Sequence, residues 1–182
     1  APELPATILT NHCYYEMFHR CTSLTQAPEL LATTLAGWCY TSMFEFCTSL
    51  TQAPELPATT LANDCYRDMF EFCSSLTQAP ELPATTLVNN CYNGIFSNCT
   101  SLTQAPELPA ATLADGCYMY MFFNCSKLNY VKCLATNIPA SNCTNAWLNG
   151  VSSTGDFYTP TSTIWEHGKN GIPYGWTRHD IT

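Results

Sequence analysis

Apolar and polar positions along this chain recur on one long, fixed beat. From Ala53 to Gln78 the order reads A-P-E-L-P-A-T-T-L-A-N-D-C-Y-R-D-M-F-E-F-C-S-S-L-T-Q, and the pattern returns every 26 residues, with copies opening at Ala1, Ala27, Ala53, Ala79 and Ala105. Within the unit Cys65, Met69 and Cys73 lie at i, i+4 and i+8, with Tyr66 and Phe70 as a second row beside them. That spacing predicts the apolar face of a short helix. Equivalent helices are expected at Cys13–Phe18, Cys39–Phe44, Cys65–Phe70, Cys91–Phe96 and Cys117–Phe122. Asn63 or Asp64, and Asn11, Asn89 and Asp115 in the same place, would be the N-caps. Arg67, Asp68 and Glu71 would face solvent.

The other half of the unit, around Leu-Thr-Gln-Ala, predicts a short strand. Proline offers no N–H to a ladder, so the strand is expected to end at Pro54. A fixed period of about 20–50 residues is the mark of a stacked array. The fold class that follows is an α/β solenoid, a leucine-rich-repeat-like right-handed coil. Each repeat would carry one short parallel strand and one short helix, with strands about 4.8 Å apart. Leu24, Leu50, Leu76, Leu102 and Leu128 should stack and be buried.

The repeat breaks after Leu128. A degenerate sixth copy starts at Cys143, where Trp147 takes the Met position, Leu148 the Phe position and Val151 the second Cys position. Past Gly155 come Phe157, Tyr158, Trp165, Tyr174 and Trp176 among turn residues. A solenoid end exposes its core and needs a cap. The division is therefore residues 1–129 as five repeats and residues 130–182 as a degenerate coil with an aromatic cap. Because the chain starts within the repeat register, it is expected to be a mature or trimmed form, with any leader or further repeats lying outside it.

Composition narrows the function. A net charge of −8 argues against a nucleic-acid partner, which needs a basic footprint. No apolar run is long enough for a transmembrane helix. The twelve cysteines contain no C-x-x-C and the four histidines do not follow the repeat, so no zinc site is expected. The cysteines form two columns, Cys13 to Cys143 and Cys21 to Cys125, with Cys133 outside both. Eight helical residues would hold the two columns too far apart for a disulfide within one coil. Free core thiols are the favoured reading, with Cys133–Cys143 the least implausible bridge. No G-x-S-x-G, H-E-x-x-H or G-x-x-x-x-G-K occurs, so neither an enzyme nor a cofactor is expected.

Stacking would set polar repeat positions in rows. Gln26, Glu29, Thr51, Gln52, Glu55, Gln78, Glu81, Gln104 and Glu107 form the candidate binding surface. Glu3, Glu29, Glu55, Glu81 and Glu107 would make one carboxylate column with no basic column beside it. One carboxylate per coil falls short of the six to eight oxygens a Ca²⁺ site wants. Trp165, Tyr174 and Trp176 are the competing candidates, either as a glycan platform or as packing for the cap.

The motif x-M-F-x-x-C-[TS]-S-L-x-x-A-P-x-L-P resembles the BspA-like leucine-rich repeats of bacterial surface proteins. The tail, G-V-S-S-T-G-D-F-Y followed by G-I-P-Y-G-W-T, looks like the module that often follows them. The resemblance implies a non-enzymatic extracellular or cell-surface protein, in some cases an outer-membrane lipoprotein anchored outside this chain. It implies adhesion to host or matrix proteins. A structural spacer displaying another domain, or a glycan-binding module working through the tail aromatics, are the alternatives.

Overall fold

The computed structural model describes residues 1–139 and 142–181. The chain winds as a parallel solenoid in which each residue lies beside its counterpart about one repeat later. A four-stranded parallel sheet forms toward the C-terminus, β1 (Gln104–Leu108), β2 (Tyr130–Cys133), β3 (Gly155–Pro160) and β4 (Trp176–Ile181), paired in that order. Earlier coils meet through single parallel bridges, Gln26 to Gln52 and Gln52 to Gln78. A second line of contact runs through Thr34 and Thr60, and again through Thr112 and Asn137.

The expected helices are absent among the described residues. Each C-Y-x-x-[MI]-F-x-x-C segment is instead a ribbon of consecutive turns. In the third coil the odd-numbered N–H groups donate locally, Arg67 to Asp64 (3.4 Å), Met69 to Tyr66 (3.3 Å), Glu71 to Asp68 (3.1 Å) and Cys73 to Phe70 (3.0 Å). The even-numbered ones donate to the next coil: Asp64 to Asn89 (3.2 Å), Asp68 to Asn93 (2.8 Å), Phe70 to Ile95 (2.9 Å) and Phe72 to Ser97 (2.9 Å).

The reason is one of hydrogen-bond accounting. A helix this short would leave most of its end groups without intrahelical partners. The ribbon sends half its N–H groups across the stack, where a carbonyl waits at every coil. It requires left-handed backbone at fixed positions, and Asp64, Asp68 and Phe72 have φ of 56°, 52° and 59°. The inward set is the one the spacing marked out, since a ribbon repeating every four residues also places Cys65, Met69 and Cys73 on one side. The proposed N-cap residues therefore do a different job. Asn63, Asn89 and Asp115 offer their carbonyls to the preceding coil, and Asn11 Oδ1 accepts from the Gly37 N–H at 3.0 Å.

Inside, identical side chains stack on one another. The rings of Phe18, Phe44, Phe70, Phe96 and Phe122 follow at 5.5, 5.6, 5.8 and 5.6 Å, with their planes close to parallel. Tyr14, Tyr40, Tyr66, Tyr92 and Tyr118 form a parallel column. Leu50, Leu76, Leu102 and Leu128 are fully buried, while Leu24, in the first coil, is only partly so.

The second cysteine column ties coils together. The thiols of Cys47, Cys73, Cys99 and Cys125 donate to the carbonyls of Phe18, Phe44, Phe70 and Phe96 at 3.0–3.1 Å. Burial pushes the Cys65, Cys117, Cys125 and Cys133 thiols up to about 12. Cys133 is a buried free thiol, so the considered bridge to Cys143 is not formed.

The strand does not stop at proline in every coil. β1 runs through Pro106, and its register with β2 slips between Gln104 and Glu107. Ala105 and Pro106 are both buried in succession, the signature of a bulge, which is where a strand tolerates proline. At the far end Trp147 stacks on Trp165 at 5.3 Å and donates its indole N–H to the Gly171 carbonyl at 2.9 Å. Asn170 Oδ1 accepts the Ala146 N–H at 3.1 Å, standing in for the carbonyl of a following coil.

Candidate binding surface

The strand face departs from simple alternation, because Ala and Pro turn inward in succession between the outward Gln and Glu. In the copies of Q-A-P-E-L the leucine turns into the core, while the glutamine and the glutamate turn out. Gln26, Glu29, Thr51, Gln52, Glu55, Gln78, Glu81, Gln104 and Glu107 are all exposed. The parallel bridges through Gln26, Gln52 and Gln78 bring the glutamines into one row. Glu3, Glu29, Glu55, Glu81 and Glu107 are likewise exposed, each at the same place in its coil.

Both rows continue beyond the repeats with different chemistry. The glutamine row passes from Gln104 to Tyr130, Asp156 and Thr177, and the glutamate row from Glu107 to Lys132, Tyr158 and His179. Lys132 Nζ sits 2.7 Å from Glu107 Oε2, and this hydrogen bond holds the ammonium above its ordinary range. His179 Nε2 lies 2.7 Å from Asp156 Oδ1, and its ring stacks on Tyr158 at 4.5 Å. The last glutamate of the column thus acquires a single basic neighbour, Lys132. Strict counting by 26 places Cys133 opposite Glu107; the slip at Pro106 puts Lys132 there instead.

The tail aromatics do not form an exposed platform. Trp165 is 7% and Trp176 4% exposed, against 78% for Tyr174. Trp165 donates to Thr159 Oγ1 at 3.0 Å and Trp176 to the Ser152 carbonyl at 2.8 Å, so both indoles are committed to the cap.

A second polar strip lies on the turn ribbon, where solvated side chains were expected. Glu71 Oε1 accepts from Ser97 Oγ at 3.1 Å and from Asn98 Nδ2 at 3.4 Å. Burial first, and the nearby Asp68 charge second, push the Glu71 carboxyl up to about 7. Burial also raises Asp68, whose carboxylate pairs with Arg67 at 3.2 Å. One coil earlier Glu45 Oε2 lies 3.5 Å from His19 Nδ1. Among the described residues no three His, Cys, Asp or Glu side chains converge as a metal site, and no helix is long and apolar enough to cross a membrane.

The class these features define is a parallel repeat solenoid with one polar strand face and a closed C-terminal end. The chain matches no protein-family profile and no curated protein. In structure it is similar to a leucine-rich cell surface protein from Faecalibacterium prausnitzii, at 17% identity and a TM-score of 0.48, over 85% of this chain and 39% of that one. The chain therefore spans less than half the length of that protein.

Proposed function

We propose that this chain is a non-enzymatic repeat module, displayed at a cell surface, that binds a host or matrix protein through its strand face. The observation that supports the reading is the exposure, in register, of Gln26, Gln52 and Gln78 beside Glu29, Glu55 and Glu81. A field of identical polar groups at about 4.8 Å intervals offers a partner many weak, aligned contacts. Core packing gives no reason for these side chains to repeat, since none of them enters the core.

The test is binding of the purified chain to a panel of extracellular-matrix proteins. The comparison is a variant carrying Gln52→Ala, Glu55→Ala and Gln78→Ala, all exposed and so compatible with the fold. Binding by the parent that falls at least about tenfold in the variant supports the reading, since hot-spot truncations cost 2 kcal/mol or more. Absence of binding across the panel would favour a spacer that displays another domain. Binding that the variant retains would move the surface elsewhere.

A further inference from the structure

Between the second and third coils the strand face is indented by a groove of about 410 Å³, floored by Pro28, Leu31, Pro54 and Pro57 and flanked by Glu29 and Glu55. Leu31 is the exception to the repeat. Pro5, Pro57, Pro83 and Pro109 occupy the same place in the other four copies. Leu31 does not serve the core, being 46% exposed while its neighbour Leu30 is 4% exposed. A larger apolar side chain thus stands in solvent at this groove, and it also lines a cavity of about 470 Å³ shared with the first coil, beside Glu3 and Glu29.

The flanking carboxylates are not neutralised from within. Arg20 and Arg67, the basic residues ahead of Lys127, are engaged on the turn ribbon, over the Phe46 ring and with Asp64 and Asp68. The same glutamate column does meet a cation at its other end, where Lys132 binds Glu107 at 2.7 Å. The molecule itself displays the chemistry that satisfies this column. A metal ion fits poorly, because two glutamates supply too few oxygens.

We infer that this groove receives a lysine-bearing extended segment of the partner protein. The lysine stem lies along Leu31, Pro54 and Pro57, and its ammonium reaches Glu29 and Glu55. Lysine suits both halves, since its aliphatic stem covers apolar surface while its head stays at the polar rim. The inference rests on the strand face being the binding surface and names the partner's chemistry there.

The experiment is a chemical-shift titration of the isotopically labelled chain with a short acetylated peptide alternating leucine and lysine. The matched control is the same peptide with acetyl-lysine. Shifts should centre on the amides of Leu30, Leu31 and Glu55, and the control should bind about fivefold more weakly, the scale of lost exposed ion pairs. Glu29→Gln with Glu55→Gln should weaken binding by a similar factor. Leu31→Pro should do so too, and it restores the residue used by the other copies, so the fold is kept. Shifts centred elsewhere, or affinity unchanged by these variants, would overturn the inference. Matrix-protein binding that is lost with Gln52→Ala and Gln78→Ala but kept in Leu31→Pro would remove the groove and leave the wider strand-face reading standing. Peptide shifts at the groove without any matrix-protein binding would do the reverse.

Discussion

Lys132 and Glu107 meet across adjacent parallel strands at 2.7 Å because a bulge at Pro106 slips the register by one residue. The pair ends a column of five exposed glutamates on a cation. Like charges a coil apart repel at low salt, and a terminal ammonium relieves the last of that repulsion.

Lys132→Glu should therefore lower the melting temperature at about 10 mM salt and recover most of the loss at about 1 M, where the screening length shrinks to about 3 Å. Lys132→Met should show a smaller loss with little salt recovery. Equal losses for the two variants at both salt concentrations would mean that the column has no electrostatic weight.

The inner cysteines serve as hydrogen-bond donors between coils. Cys99→Ala removes one of two donors to the buried Phe70 carbonyl, which keeps the Cys73 N–H, and should cost about 1 kcal/mol in denaturant unfolding. Cys21→Ala, at an exposed position of the first coil, should cost less than about 0.5 kcal/mol. In the native protein a thiol reagent should modify Cys21 first and then the partly buried Cys13, with the buried thiols reacting only on unfolding.

How much of this was legible beforehand follows from which interactions repeat. The period fixed the stacking partners, so the buried Leu, Phe, Tyr and Cys columns and the exposed Gln and Glu rows could be read directly. The local backbone could not, because Cys65, Met69 and Cys73 face inward from a turn ribbon as they would from a helix. The available signal was the residues gathered at the left-handed positions. Asp64, Asn90 and Gly116 share one column, Asp68 and Gly94 another, and Asn98, Asn124 and Gly150 a third, all with positive φ. These are residue types that tolerate that conformation, although Trp38, Tyr120 and Phe72 hold the same columns in other coils, so the signal is partial. The Glu107–Lys132 pair was hidden for another reason, since a bulge breaks the counting rule from which every other pairing follows.

Those columns can be tested by substitution. Tyr120 has φ of 55° in the column where the preceding coil carries Gly94. A left-handed backbone costs most side chains about 1–2 kcal/mol, and asparagine less. Tyr120→Asn should raise stability by about 0.5–1 kcal/mol, after some loss of its contact with Phe123. Gly94→Ala should do the opposite and cost at least about 1–3 kcal/mol, because the added methyl collides with the Asp68 carboxylate. A helical segment would give the contrary result, with Gly94→Ala stabilising.

Glu71 makes the stability of the turn ribbon depend on pH. Its folded carboxyl is raised to about 7, chiefly by burial and then by the charges of Asp68 and Glu45, with the Ser97 and Asn98 donors pulling the other way. Unfolded, a glutamate titrates near 4.3. The native state therefore holds a proton that the unfolded state has released across that interval, and stability falls as pH rises. The contribution is complete below about pH 4.3 and is lost by the time pH has passed about 7. Asp68, raised by its own burial, adds a loss of the same sign. Glu71→Gln is neutral at every pH and keeps an oxygen to accept from Ser97 and Asn98. The variant should match the parent near pH 4 and exceed it above pH 7, by about 1 kcal/mol once the partial solvent exposure of the site is discounted. Glu55→Gln, out on the strand face, gives the background for removing one charge. Denaturant midpoints measured from about pH 4 to about pH 8 decide the matter. A gap between Glu71→Gln and the parent that opens through this window supports a Glu71 that keeps its proton well above the usual glutamate range. Curves that stay parallel would show that Glu71 ionises as freely in the fold as in the unfolded chain.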